Sequence, residues 1–266
     1  MSVSVQKANF WKRISAWMFD AIMAIMLALG CCLVAVVAID FDSQVNEYNT
    51  HLQQYYVQYG AKYDVDFNLS QEDYDAMPKR EQEDYDEKRA QAEKEINQEL
   101  ATDETYIDLS AKMFGSTLFI VAAGVLASHL ILHFAIPLFL KNGQTLGKKM
   151  FGLAVIRTNC VKVSNPVLFI REIIGLYAME TMFPLLIVLM IYFGYLGIVG
   201  TITLLLLLVL QLGVMIKTQT NSSIHDLLSD TMVVDFVSQH IFETEEERVE
   251  YLAEEQQKSN EKSNAH

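Results

Sequence analysis

The first long apolar run of the chain begins with Trp11-Lys12-Arg13-Ile14-Ser15-Ala16-Trp17-Met18-Phe19-Asp20. Arg13 and Asp20 are separated by almost two helical turns, so on a helix they share one face, with the acid about 10 Å deeper than the base. An aspartate is costly in a segment that enters lipid, and such a residue is a candidate functional group. The stretch therefore predicts a membrane helix that carries an important buried acid.

Apolar residues make up 52% of the chain and are concentrated in long runs. Residues 14–39 and 113–140 each provide the roughly 20 residues that a membrane crossing needs. The run 173–216 is too long for one crossing, and a turn is expected near its glycines, Gly194, Gly197 and Gly200. The sequence thus predicts an all-α membrane protein built on a four-transmembrane-helix bundle.

The acidity of the protein is confined to one segment. Residues 40–110 contain 19 acidic and 6 basic side chains, which accounts for the whole net charge of −13. An apolar face recurs at helical spacing within this segment, and its members are Tyr48, Leu52, Tyr55, Tyr59 and Tyr63. We expect a helical hairpin whose tyrosine face packs against the returning arm; a docking surface for an extracellular partner is the alternative. The two arms are expected to continue without interruption into the first and second membrane helices.

The basic residues near the predicted helix ends indicate the orientation. With four crossings they all fall on one side, which is then the cytoplasm; they are Lys7, Lys12, Arg13, Lys141, Lys148, Lys149, Arg157, Lys162, Arg171 and Lys217. Both termini are predicted to be cytoplasmic, and the acidic hairpin extracellular.

Short elements outside the apolar runs predict a small cytoplasmic cap. Asn142-Gly143 indicates a turn, and a short interfacial helix is expected after it. Residues 153–158 and 161–163 resemble a β-hairpin, and residues 231–236 a third strand that pairs with it. Ser164-Asn165-Pro166 is typical of a helix start.

The expected domain plan follows the chain in seven parts. They are the cytoplasmic N-terminus and first transmembrane helix (1–40), the acidic hairpin (41–110), the second transmembrane helix (111–140), the loop with interfacial helix and β-hairpin (141–171), the third and fourth transmembrane helices (172–217), the cytoplasmic motif and strand (218–242), and a polar tail (243–266).

Three separated motifs resemble those of the RDD family of bacterial membrane proteins, named for an arginine and two aspartates. Arg13 and Asp20 match the first pair, Gly143-Gln144-Thr145-Leu146-Gly147-Lys148-Lys149 matches the middle loop, and His225-Asp226 with Thr231 matches the C-terminal motif. The resemblance covers residues 9–40 and 111–237, and the acidic segment departs from it. It implies a multi-pass protein of the bacterial inner membrane, and a cation/proton antiport activity has been proposed for some members.

Polar residues inside the predicted helices suggest a buried layer. Counting from the cytoplasmic ends places one polar group of each helix roughly 8 to 11 Å deep; these are Asp20, His133, Glu180 and Gln211, with His129 one turn from His133. The layer is either a proton-coupled cation site or a set of groups that satisfy one another and hold the bundle together. The second reading is favoured, because four helices leave little room for a transport path.

Two further groups have alternatives of their own. Arg13 is expected to reach the interface and to pair with Asp20 or Asp226. Asp226 either locks the cytoplasmic cap or acts as a functional acid. His129 and His133 share a helix face, but without further ligands they do not predict a metal site.

The sequence contains no nucleophile arrangement, phosphate loop or cofactor motif, so we expect no enzyme and no cofactor. It has no basic and aromatic pattern typical of nucleic-acid binding, so we expect no nucleic-acid partner. The favoured function is a non-catalytic interaction or regulatory protein of the bacterial envelope; the alternative is a proton-coupled monovalent cation transporter or antiporter component. Candidate partners are the lipid bilayer, an envelope or extracellular protein bound by residues 42–110, monovalent cations or protons, and a second copy of the chain.

Overall fold

The computed structural model describes residues 8–140, 143–218 and 222–264. The turn predicted at Asn142, and the charges of Lys7 and Lys141, lie outside the described residues. Contacts within the chain divide it into two compact units, one formed by residues 34–120 and the other by the rest of the chain.

Helices dominate both units. In chain order they are α1 (Phe10–Ala38), α2 (Phe41–Tyr63), α3 (Gln71–Ala76), α4 (Lys79–Leu100), α5 (Glu104–Leu140), α6 (Leu146–Met150), α7 (Asn165–Tyr192), α8 (Gly197–Lys217), α9 (Ile224–Leu228) and α10 (Glu245–Asn264), and the strands are β1 (Leu153–Arg157) and β2 (Thr231–Asp235).

Four of these helices, α1, α5, α7 and α8, are long and apolar enough to cross a membrane. Their outer faces expose large apolar side chains, such as Val37 at 81%, which lipid rather than protein would cover. The predicted turn between α7 and α8 is present, with positive φ at Gly194 and Gly197. With its small two-stranded sheet, the chain is the predicted all-α membrane protein.

The third membrane helix begins earlier than the predicted boundary at residue 172. Ser164 occupies the N-cap of α7, and Pro166 lies in its first turn, where the missing N–H of proline costs nothing. The predicted loop 141–171 therefore ends too late. The segment Ile170–Met182 of this helix is π-helical, as is Leu130–Ala135 of α5, and such segments are frequent at functional sites.

Small residues bring α1 and α5 together. A Cβ added at Gly124 would overlap the sulfur of Cys32 and lie 3.1 Å from the carbonyl oxygen of Ala28. One turn further along α5, the Ser128 hydroxyl donates a 2.8 Å hydrogen bond to the carbonyl of Ala24. Close backbone approach and hydrogen bonds of this kind drive helix association in lipid, where the hydrophobic effect does not.

The sheet differs in part from the prediction. β1 and β2 pair antiparallel, with Leu153 opposite Asp235 and Arg157 opposite Thr231, as predicted for the first and third strands. The predicted strand 161–163 was wrong: this stretch makes isolated bridges only, between Ile156 and Lys162 and between Val161 and Phe242. The backbone of Phe242 takes the place of part of the expected ladder: the N–H of Lys162 donates to the carbonyl of Phe242 at 2.9 Å, and the N–H of Phe242 donates to the carbonyl of Cys160 at 3.1 Å.

The unit formed by residues 34–120 contains a helical hairpin with its own core. Tyr59 of α2 is buried against three residues of α4, Ala92, Ile96 and Leu100. The tyrosine face thus packs against the returning arm, as its spacing predicts. Ser70 caps α3 by accepting a 3.1 Å hydrogen bond from the backbone N–H of Asp73.

The prediction that the arms of the hairpin continue without interruption into the membrane helices was wrong, because the structure has a break between each arm and its membrane helix. Asp40 adopts a left-handed conformation, with φ of 51°, and separates α1 from α2. A second break follows Leu100, where Oδ1 of Asp103 accepts hydrogen bonds of 2.8 and 3.1 Å from the N–H groups of Thr105 and Tyr106. Because this carboxylate satisfies the free donors of a new helix start, α5 begins afresh there.

Candidate functional site

The carboxylate of Asp20 is bound by the loop that follows α5. The hydroxyl of Thr145 donates to Oδ2, and the backbone N–H of Gly147 donates a 2.8 Å hydrogen bond to Oδ1. Thr145 is also the N-cap of α6, where its hydroxyl accepts from the N–H of Lys148. A carboxylate suits this position because free N–H groups and the positive end of the helix dipole meet there. Asp20 is thereby satisfied at only 7% exposure.

Two glycines allow the loop after α5 to pack closely enough to bind Asp20. A Cβ at Gly147 would overlap the carbonyl oxygen of Ala16 and lie 2.9 Å from Oδ1 of Asp20. Gly143 has a φ of +58°, and a Cβ there would lie 3.2 Å from that of Val155. Between them, Gln144 donates a 2.6 Å hydrogen bond from its side chain to the carbonyl of Leu153. The residues of the middle-loop motif therefore fix the loop against α1 and β1.

Asp226 forms a buried ion pair with Arg171. The guanidinium donates to Oδ1 of Asp226 through Nη2 at 2.7 Å and Nε at 3.2 Å, and both side chains are 1% exposed. Asp226 also completes the capping box of α9 with Ser223, and Arg171 donates to the hydroxyl of Thr231 at 3.3 Å. The pair thus joins α7, α9 and β2.

Arg13 is the second cation beside this carboxylate. Its Nη2 lies 3.7 Å from Oδ2 of Asp226, so the prediction that Arg13 pairs with Asp226 or Asp20 is resolved in favour of Asp226. Burial alone would raise the pKa of Asp226, but the charges of Arg171, His225 and Arg13 hold that pKa well below its usual range. The carboxylate of Asp226 is therefore held in its charged form between two arginines.

Glu172 and His133 form the least satisfied part of the site. Glu172 has no exposed surface, and its Oε1 accepts from Nη1 of Arg171. Its Oε2 and Nδ1 of His133 have no hydrogen-bond partner among the described residues and lie 3.7 Å apart. The ring of His129 stacks on that of His133 at 5.1 Å. Buried polar atoms without partners are rare and point to a functional or hydrated position.

Glu180 connects three helices. Its carboxylate accepts from the N–H of His225 at 2.7 Å, lies 2.9 Å from Nδ1 of the same residue, and accepts from Nε2 of Gln211 at 3.2 Å. His225 in turn lies 3.0 Å from Nη2 of Arg171. The close approach of α9 to α7 requires a glycine, since a Cβ at Gly175 would lie 2.6 Å from that of His225.

Lys148 brings a further positive charge into this region. It is half-buried, and burial lowers the pKa of its ammonium group, as does the charge of Arg171. The carboxylates of Glu172, Asp20 and Asp226 oppose that shift. The four acidic and three basic side chains of this cluster are therefore electrostatically coupled; they are Asp20, Glu172, Glu180, Asp226, Arg13, Lys148 and Arg171.

The predicted polar layer is divided into separate groups. Glu180 and Gln211 do meet, but His133 faces Glu172, and the hydrogen bonds of Asp20 go to the middle loop. The prediction of one shared layer was wrong in this respect. The loop and α9 provide partners that the depth count along four helices could not include.

Sequence reasoning missed the central roles of Arg171, Glu172 and His225. Arg171 was assigned to a cytoplasmic loop, yet it is one of the most buried side chains of the protein. The helix start at Ser164-Asn165-Pro166 was a usable signal, because it places Arg171 and Glu172 within the helix rather than before it. His225 belonged to a recognised motif, but nothing in the sequence indicated its partner.

The chemistry of the site is that of paired charges. Among the described residues, no group of three His, Cys, Asp or Glu side chains is placed to hold a metal ion. The structure defines the class as a multi-pass helical membrane protein. It has membrane-spanning helices and a short two-stranded sheet, and a buried Arg–Asp pair ties them together.

The comparisons with known proteins make this assignment specific. The model of the RDD family matches residues 99–230, and the chain therefore belongs to the RDD family. The match includes the middle loop and Asp226, whereas Arg13 and Asp20 lie before it. No curated protein and no solved structure matches the chain.

Proposed function

We propose that the protein is a non-catalytic interaction or regulatory protein of the bacterial inner membrane. Both termini lie in the cytoplasm in this proposal, and the hairpin of residues 42–110 binds another envelope protein outside. The distribution of lysine and arginine supports the orientation, since these residues favour the cytoplasmic ends of membrane helices.

One observation carries the proposal: residues 34–120 form a compact unit with its own core. This unit also contains the segment that accounts for the net charge of the protein. In the unit that contains the membrane helices, by contrast, buried charged side chains form internal pairs, such as Arg171 with Asp226 and Glu180 with His225. Paired groups of this kind hold a structure in place, so the hairpin is the better candidate for a working surface.

In-cell photo-crosslinking tests this function. A crosslinking residue at Gln54, exposed on α2, is expected to capture a defined envelope protein that mass spectrometry identifies. In the protein without a crosslinking residue, deleting residues 45–105 should abolish co-purification of that same envelope protein. The same residue at Gln98, exposed on α4, is the matched control. Capture of no defined envelope protein from either position, or unchanged co-purification after the deletion, would contradict the proposal.

A second candidate function is proton-coupled transport of a monovalent cation. The four carboxylates of the cluster outnumber its three arginine and lysine side chains by one, and a proton or a monovalent cation would balance that difference. The unpartnered atoms of Glu172 and His133 support the same idea.

Flux in proteoliposomes tests this alternative. Glu172→Gln should abolish pH-dependent sodium or potassium flux at unchanged protein level, while Glu243→Gln, at an exposed surface pair with Lys162, should not. A parent protein whose flux equals that of empty liposomes would rule the alternative out.

A further inference from the structure

The hairpin contains an open cavity of about 480 Å³ where α2 ends and the chain turns toward α3. Three aromatic side chains, Tyr56, Phe67 and Tyr85, line it together with the acids Asp64 and Asp66. None of the lining residues is a lysine or an arginine. Aromatic faces combined with carboxylates favour an organic cation.

The wall of this cavity is held by hydrogen bonds and ring contacts. The rings of Tyr56 and Phe67 are 4.9 Å apart, and the hydroxyl of Tyr85 donates a 2.7 Å hydrogen bond to the carbonyl of Asp66. At the bend, the N–H of Val65 donates to the carbonyl of Gly60 at 2.9 Å. The cavity is therefore formed before any ligand arrives, which lowers the cost of binding.

The two acids at the cavity have charge available for a partner. Asp64 makes no side-chain hydrogen bond or ion pair to any residue that the structure describes, and Asp66 uses only Oδ1, which accepts from the N–H of Asn68. Three basic residues of the hairpin are instead paired with other acids: Lys62 with Glu95, Lys88 with Asp84 and Arg89 with Glu93. Lys88 also feels the charge of Asp64, but neither Asp64 nor Asp66 forms an ion pair with a residue that the structure describes, so both carboxylates can bind a partner.

An uncharged face of α2 adjoins the cavity. Its exposed side chains are those of Asn49, Thr50, Gln53, Gln54, Val57 and Gln58. Gln53 and Val57 also line the cavity. Residues 48–61 contain no Asp, Glu, Lys or Arg within a strongly acidic segment. Amide side chains can both donate to and accept from the backbone of an extended peptide.

We propose that this surface binds a basic segment of another protein, with an arginine or lysine side chain in the aromatic and acidic cavity and the peptide backbone along the uncharged face of α2. The inference rests on the proposed function and adds the chemistry of its partner. Charge decides the choice of partner: a second copy would bring the same net charge of −13 and repel the first, whereas a basic segment is attracted.

Peptide binding to the full-length protein in nanodiscs of neutral phosphatidylcholine tests the inference. The probe is a fluorescent Ser/Gly peptide that contains arginines, and the control probe has each arginine replaced by citrulline, which keeps the shape and removes the charge. Fluorescence anisotropy should show saturable binding of the arginine peptide only, weakening as salt is added. Equal binding of both peptides, or no saturable binding, would overturn the inference.

Charge-matched variants locate the site. Asp64→Asn with Asp66→Asn should weaken binding roughly tenfold or more. Glu72→Gln with Glu83→Gln removes the same charge from exposed positions outside the cavity and should leave affinity within about twofold. Ala61→Leu, which narrows the cavity without changing charge, should also weaken binding, and circular dichroism checks that each variant folds.

The outcomes separate this inference from the proposed function. If both double variants lose the same affinity, or if Ala61→Leu binds like the parent, the cavity is not the binding site and the inference fails. Crosslinking from Gln54 that persists in that case leaves the proposed function standing. If the crosslinking from Gln54 is lost in Asp64→Asn with Asp66→Asn and in Ala61→Leu but kept in Glu72→Gln with Glu83→Gln, the inference and the proposed function are both supported.

Discussion

The guanidinium of Arg171 lies 2.7 Å from the carboxylate of Asp226, with both side chains almost completely withdrawn from solvent. The two residues come from different parts of the chain, one in the third membrane helix and the other in the short helix α9. Their pairing fixes the sheet, the membrane helices and the C-terminal motif in one arrangement. An ion pair of this kind stabilises strongly only while both partners are present.

Asp226→Asn should therefore destabilise the protein by about 3–5 kcal/mol, because Arg171 and Arg13 would lose their shared anion in a buried position. The matched control is Asp230→Asn, which breaks the exposed pair with Arg157 and should cost about 0–1 kcal/mol. Thermal unfolding of the purified protein in detergent measures both. Similar losses in the two variants would contradict the assignment of Asp226 as a buried anchor.

The architecture around this pair was largely predictable from sequence. Apolar runs of membrane length, the glycines between α7 and α8, and the capping residues Ser70 and Ser164 are local signals, and local structure follows them. The pairing of Arg171 with Asp226 could not be predicted from the sequence, because no local pattern indicates which distant charged residues will contact each other. The strand expected at residues 161–163 is missing for the same reason, because the backbone of this stretch bonds to Phe242, about 80 residues further along the chain.

Gly147→Ala should destabilise the protein by about 1–3 kcal/mol, since the added methyl group would meet the backbone of Ala16 and the carboxylate of Asp20. Backbone cannot move aside as a flexible side chain can. The control is Gly30→Ala in the same helix as Asp20, where nothing lies within 4 Å of the added Cβ; it should be neutral or stabilise by about 0.5–1 kcal/mol. Chemical unfolding in mixed micelles compares the stabilities of the two variants. Equal effects would argue against close packing of Gly147 on Asp20.

Acid should weaken the hairpin through Asp103. Hydrogen bonds from Tyr55 and then His51 lower the pKa of Asp103 to about 2, against about 3.9 in an unfolded chain. The folded state therefore binds the proton less readily, so the stabilisation is complete above about pH 4 and is lost as the pH falls toward 2. Hydrogen exchange of α2 and α4 amides across this range should show the loss.

Asp103→Asn is the control for this titration, because it removes the ionisable group and keeps an oxygen acceptor. Its α2 and α4 amides should show a flatter stability profile between pH 4 and pH 2 than those of the parent. Parallel profiles in the two proteins would mean that other carboxylates cause the acid sensitivity.

The hairpin core gives the final prediction. Ile96 is 2% exposed and packs with Tyr59, Ala92 and Leu100, so Ile96→Ala should cost the hairpin about 2–5 kcal/mol through lost burial and the cavity left behind. Because residues 34–120 form a compact unit of their own, the loss should appear as faster hydrogen exchange in α2 and α4, with protection of α7 unchanged. Gln98→Ala, exposed on the same helix, should leave both unchanged. Loss of protection in α7 to the same extent would show that the two units unfold as one.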